Sequence, residues 1–247
     1  MLVNEDGTLN YFASPTVKVI VDEGESSKSF FVHKDLITRR SGFFRKALNS
    51  YGKDGSLQWL EGEEGSVKLP EDEPAVFGSY AQLLYQGRLP IYEKVPTITA
   101  DDKKAFAGAL SKVSNEEYLL LAKLYVFCEK IQDVEAKGTL ISAFVEATSR
   151  VRENGWRTFP TLQPIKYIYD GTTELDPIRG LLVDLYVINA ELSWVIGSRP
   201  EHCPPDFLHR VMLGMLADRK KPGRRKMVTD ASTYLKKLRM TNDDGNI

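Results

Sequence analysis

The 247-residue chain holds only two cysteines, Cys128 and Cys203, and only three histidines. So sparse a set excludes a disulfide-rich scaffold and leaves little material for a metal site. Cys128 sits inside an apolar run and Cys203 precedes Pro204 and Pro205, which fits reduced thiols; a single bridge is the alternative. An excess of one charge is also missing. Thirty-three Lys and Arg face 34 Asp and Glu, for a formal charge of -1, so no global field draws the chain to nucleic acid or anionic lipid. The longest apolar stretches are broken by Lys123, Glu129 and Asp184, charges that are costly in hydrocarbon, so no membrane span is expected. Gly42, Gly52, Gly55, Gly62 and Gly65 form neither a GxGxxG turn nor a phosphate loop, so nucleotide binding has no anchor and no cofactor is expected. Internal repeats and low-complexity blocks are lacking too. The opening MLVNEDGTLN lacks the basic-then-apolar pattern of a secretory leader, and the expected location is cytoplasmic or nuclear.

Apolar residues are plentiful: 42% of the chain is hydrophobic and 10% aromatic, enough to bury the core of one or two domains. The β-branched run 17–21, closed by Asp22, Glu23 and Gly24, and a second run at 29–32 predict a hairpin. Ser41 reads as the N-cap of a helix with Phe43, Phe44, Ala47 and Leu48 on one face. Residues 49–65, rich in glycine and charge, read as a long surface loop, with Glu61, Glu63 and Glu64 as a solubilising acidic turn. A short strand at 67–69 follows. The Asp72-Glu73-Pro74 start then introduces a helix carrying Val76, Phe77, Tyr80, Leu83 and Leu84, which Gly87 ends.

Residues 89–113 contain Pro90, Pro96 and Gly108 and read as an insertion. Ser114-Asn115-Glu116-Glu117 matches a capping box and predicts the start of a helix. Its continuation, 118–131, is apolar on nearly every side, so neighbours should surround it. Asp133 should cap a second helix carrying Val134, Leu140, Ile141, Phe144 and Val145. Beyond a boundary near 153–163 come a short apolar segment at 165–169, a helix opened by Asp176-Pro177 with Ile178, Leu181, Leu182, Leu185 and Tyr186 on its stripe, and a further helix at 207–216.

The run Val17-Lys18-Val19-Ile20-Val21, then Phe30-Phe31-Val32-His33-Lys34-Asp35-Leu36-Ile37 and Arg40-Ser41-Gly42-Phe43-Phe44, resembles the opening of BTB/POZ domains. Val67-Lys68-Leu69-Pro70-Glu71-Asp72, with Phe77, Leu83-Leu84-Tyr85 and Gly87, resembles that family's third strand and following helix, and the paired helices 116–148 fit its closing hairpin. The stretch from Ile165-Lys166-Tyr167-Ile168-Tyr169-Asp170 to 181–186 resembles the extension of small fungal BTB proteins. The resemblance implies an α+β fold, a small mixed sheet covered by helices, followed by a helical C-terminal extension. It divides the chain into a tail at 1–16, a BTB/POZ-like domain at 17–150 with insertions near 49–65 and 89–113, and the extension at 163–238. It also implies a non-enzymatic protein-binding module, an adaptor or scaffold that self-associates or recruits a cullin-type ubiquitin-ligase scaffold. Many dimerising members place an aspartate before the first strand and a basic residue after the histidine. The corresponding residues here are Thr16 and Lys34, so a weak homodimer or none is expected, with Thr16, His33, Lys34 and Asp35 as the candidate protein interface.

Rival chemistries are thin. His33 beside Asp35 could serve as an acid-base pair, but no nucleophile motif accompanies it and a packed strand-end histidine explains it better. His202, Cys203 and His209 lack a fourth ligand and tight pair spacing for zinc. Arg219, Lys220, Lys221, Arg224, Arg225 and Lys226 form the densest charge run, which reads as a nuclear-import or acidic-partner segment or as a solvated basic loop. No aromatic interleaves with it, which disfavours nucleic acid. An enzyme with a site invisible in sequence is the remaining alternative from another class.

Overall fold

The computed structural model describes residues 11–48, 66–89, 103–152, 155–196 and 199–218. The acidic turn at Glu61, Glu63 and Glu64, the rest of the 49–65 loop and the basic run 219–226 lie outside the described residues.

Strand β1 (Thr16–Val21) pairs antiparallel with β2 (Lys28–His33) and parallel with β3 (Ser66–Leu69), in the order β2-β1-β3. Alternation decides which face is buried: Val17, Val19 and Val21 point into the core with Val32, Val67 and Leu69, while Lys18, Phe31 and Lys68 face outward. The expected hairpin is present, one residue longer at its ends than the β-branched runs alone indicate.

Nine α-helices cover the sheet and extend from it among the described residues. Helices α1 (Lys34–Arg40) and α2 (Gly42–Leu48) meet at Ser41, which is fully buried. Its Oγ accepts the Phe44 N–H at 3.1 Å, the expected cap, and donates to the Ile131 carbonyl at 2.5 Å, which ties α2 to the backbone just after the helix Lys103–Lys130. Helix α3 (Pro74–Gln86) buries Val76, Phe77, Tyr80, Leu83 and Leu84, the predicted stripe, and ends on Gly87 at φ 66°, a left-handed position that glycine adopts without strain.

Helix α4 spans Lys103–Lys130, and here the expectation fails. Neither the insertion at 89–113 nor the capping box at Ser114 describes it, because the helix is already running at Lys103 and Ser114 lies inside it. Gly108 costs a helix only about 1 kcal/mol, and the neighbouring Ala109, Leu110 and Lys112 are strong helix formers. Residues 118–131 are surrounded as expected: Tyr118, Leu124, Tyr125, Phe127, Cys128 and Ile131 are buried on several sides of the helix axis.

Helix α5 (Val134–Ser149) starts at Asp133, whose carboxylate accepts the Ala136 N–H at 2.9 Å. Leu140 and Phe144 are buried, but Val134 and Val145 are exposed, because the hairpin partner α4 covers only one side of α5. Helix α6 (Leu162–Gly171) lies against α4 so closely that a side chain at Gly171 would run into Val126. Helices α7 (Pro177–Asn189), α8 (Leu192–Val195) and α9 (Pro205–Asp218) follow. One hydrophobic cluster runs without a break from Val17 of the sheet to Val211 of α9.

A second buried carboxylate clasps α7 to the α4–α5 hairpin. Asp176, the N-cap of α7, accepts from Ile178 N–H at 3.1 Å, Tyr125 hydroxyl at 2.6 Å and Lys137 Nζ at 2.7 Å. Burial works to raise the Asp176 carboxyl, but the hydrogen bonds from Lys137, Tyr125 and Ile178 outweigh it and hold the group below its ordinary 3.8. A folded-state value below the unfolded one means that the unfolded chain binds the proton more readily. The clasp's contribution is therefore complete above about pH 4 and is lost as pH falls through the depressed value. Urea midpoints measured from pH 6 to pH 2.5 should fall less steeply for Asp176→Asn than for the wild type. Parallel acid limbs would show that this carboxylate carries no such contribution.

Candidate interaction surface

The four residues expected at a protein interface come together at the open end of the hairpin. Thr16 stands opposite His33 in the β1–β2 register. The Lys34 N–H donates to the Pro15 carbonyl at 2.8 Å, and the Asp35 N–H donates to Ser14 Oγ at 3.4 Å in the first turn of α1. Thr16 is exposed, and Lys34 and Asp35 are half-buried.

Two residues outside that candidate set, Tyr85 and Phe12, complete it. The Tyr85 hydroxyl lies 2.7 Å from His33 Nδ1 and accepts the His33 N–H at 3.0 Å. Phe12 meets the His33 ring edge-on at 5.4 Å and stacks on Tyr85 at 6.4 Å. The partner of His33 is thus a tyrosine hydroxyl rather than the Asp35 carboxylate, a packing arrangement of the kind the residue's strand-end position implies. Tyr85 is 52 residues away in sequence, so no local spacing could have paired them. Phe12, 77% exposed, leaves an aromatic face toward solvent.

A second surface belongs to the C-terminal helices. Helix α9 is anchored by Phe207, which meets Tyr169 at 5.6 Å and Tyr186 at 5.0 Å, and by Val211 one turn on. A second apolar stripe, Leu208, Met212, Met215 and Leu216, is left exposed at 41 to 52%. With Leu192 and Val195 of α8 it walls a groove of about 730 Å³, whose charged rim consists of Glu191 and Asp218 alone among the described residues. The spacing 208, 212, 215 is helical, so the doubled stripe on this helix is a signal that sequence reading could have used.

The remaining candidates do not assemble a reactive centre among the described residues. His202 and His209 are exposed, Cys203 is buried, and no three His, Cys, Asp or Glu side chains are placed to hold a metal ion. Cys128 and Cys203 are both buried, and no disulfide joins them. Burial, with Asp133 nearby, pushes the Cys128 thiol far above its ordinary value, opposite to what a nucleophile needs. No helix of the described residues is long and apolar enough to cross a membrane. No protein-family model matches the chain and no curated protein matches its sequence.

Proposed function

We propose that this chain is a protein-interaction module of BTB/POZ type that takes an amphipathic helix of another protein in the groove between α8 and α9. The observation that carries this reading is the exposed stripe of Leu208, Met212, Met215 and Leu216 facing Leu192 and Val195. Contiguous apolar surface on a folded protein marks an interaction site, and methionines adapt their shape to a partner. The acidic rim of Glu191 and Asp218 favours a partner helix with lysine or arginine flanking its apolar stripe. The three-stranded sheet with its helical cover and the α4–α5 hairpin support the BTB/POZ part of the reading.

The test combines carbodiimide cross-linking with a double variant, Met212→Glu with Leu216→Glu. Both side chains are about half exposed, so the melting temperature should stay within a few degrees of wild type. Wild type should yield zero-length cross-links from Glu191 or Asp218 to lysines of a partner helix, and the variant should lose that partner. The reading fails if the variant keeps the same partners, or if cross-links avoid this rim. A cullin scaffold among the groove-dependent partners would make the module a ubiquitin-ligase adaptor. Because Thr16 supplies no acid beside Lys34, the chain alone should sediment as a monomer at micromolar concentration. A homodimer with a dissociation constant below about 0.1 μM, roughly 9–10 kcal/mol of association, would instead assign the apolar surface to a second copy.

A further inference from the structure

One serine in α4 departs from a pattern that five helical hydroxyls of this chain share. Thr38, Ser79, Thr139, Ser142 and Thr148 each donate to the carbonyl four residues earlier, at 2.8 to 3.2 Å. That back-bond is the ordinary resting place of a hydroxyl in a helix. Ser114 is only 3% exposed, yet its Oγ meets no protein partner. Ser114 lines a cavity of about 380 Å³ between α4, the segment 156–161 and the α7–α8 corner.

The walls of this cavity are aromatic and held in place. Trp156, Phe159, Tyr186 and Trp194 line it, with the Phe159 and Trp194 rings 4.9 Å apart and the Tyr186 and Trp194 rings 5.3 Å apart. The Tyr118 hydroxyl donates to the Thr158 carbonyl at 2.5 Å and the Tyr186 hydroxyl to the Pro160 carbonyl at 3.0 Å, which pins the wall segment to α4 and α7. Its base is anchored where buried Arg152 meets Glu117 at 2.8 Å. Arg157 is the one charged residue of the lining among the described residues, and no carboxylate lines the cavity there.

We infer that this cavity is a binding site for a small aromatic carboxylate. A flat ring fits offset or edge-on against indole and phenyl walls. A carboxylate matches the fork of a guanidinium at the mouth, and the unpartnered Ser114 hydroxyl lies beneath the floor. The volume lies at the low end of ligand cavities, roughly 300–1,000 Å³, which suits one or two fused rings. The site shares Tyr186 with the α8–α9 groove but is lined otherwise by different residues, and it does not depend on the protein-binding role.

Isothermal titration of the full chain with naphthalene-1-acetate, and with naphthalene-1-acetamide as the uncharged control, tests the inference. The acid should bind with a dissociation constant below about 1 mM and the amide at least fivefold more weakly. Arg157→Gln should bring the acid to the amide's affinity and leave the amide unchanged. Trp156→Ala, at a residue more than half exposed, should weaken both at least fivefold while the protein stays folded. Ser114→Leu should fill the floor and abolish both, and if that variant melts early, Trp156→Ala decides. Absence of binding at 1 mM acid overturns the site, as does binding that Arg157→Gln and Trp156→Ala leave unchanged.

Discussion

Replacing Asp133 by alanine should cost the fold about 3–5 kcal/mol, the range seen when one member of a buried charged network is removed. The Asp133 side chain is wholly buried and serves three elements at once. It caps α5 through the Ala136 N–H, accepts the Tyr80 hydroxyl of α3 at 3.0 Å, and lies 3.4 Å from the Arg40 guanidinium of α1. Alanine leaves the tyrosine hydroxyl and a mostly buried guanidinium without this acceptor, although Arg40 keeps its contact to the exposed Glu135 at 3.2 Å. Loss of the cap alone accounts for about 1 kcal/mol of the effect. Asp133→Asn, which preserves an acceptor oxygen but removes the charge, should cost less than alanine. Urea denaturation with a common slope measures all three proteins. A loss under about 1 kcal/mol for alanine would mean that water replaces these contacts without penalty, and the carboxylate would not be the junction of α1, α3 and α5 described above.

The second large effect is expected at Leu121, where alanine should cost about 2–5 kcal/mol. Leu121 is 8% exposed and sits on α4 between fully buried Tyr118 and Tyr125, a turn away in each direction. Helix α4 packs on α3, α5 and α6, so a cavity opened beneath Leu121 has rigid helices around it and little freedom to collapse. Against a typical total stability of about 5–15 kcal/mol, either substitution removes a large share. A loss below about 0.5 kcal/mol at Leu121, the ordinary range for surface changes, would show that α4 is not the centre of the core.

Several parts of this architecture are legible in the residues because their physics is local. Ser41 caps α2, Pro74 and Gly87 bound α3, Asp133 and Asp176 cap their helices, and the alternation in 17–21 buries alternate side chains. The start of α4 is a counterexample from the same local physics. Ser114 has every residue of a capping box around it, but a cap requires the preceding backbone to leave the helix, and the favourable propensities of residues 109–112 keep it helical. Val134 and Val145 show a different limit: periodicity places them on α5, but which sides of a helix are covered depends on the neighbours it meets.

The candidate surfaces divide along the same line. By itself the sequence determined the two strands of the hairpin, the third strand, the helix stripes and the paucity of metal ligands. Each of these follows from contacts a few residues apart or from composition. Only the tertiary structure decided that Tyr85 rather than Asp35 partners His33, that α9 leaves a second apolar stripe uncovered, and that Ser114 faces a cavity walled by Trp156 and Trp194. Those outcomes depend on contacts between segments tens of residues apart, where chain closure and packing select the neighbours and local propensity carries no information about them.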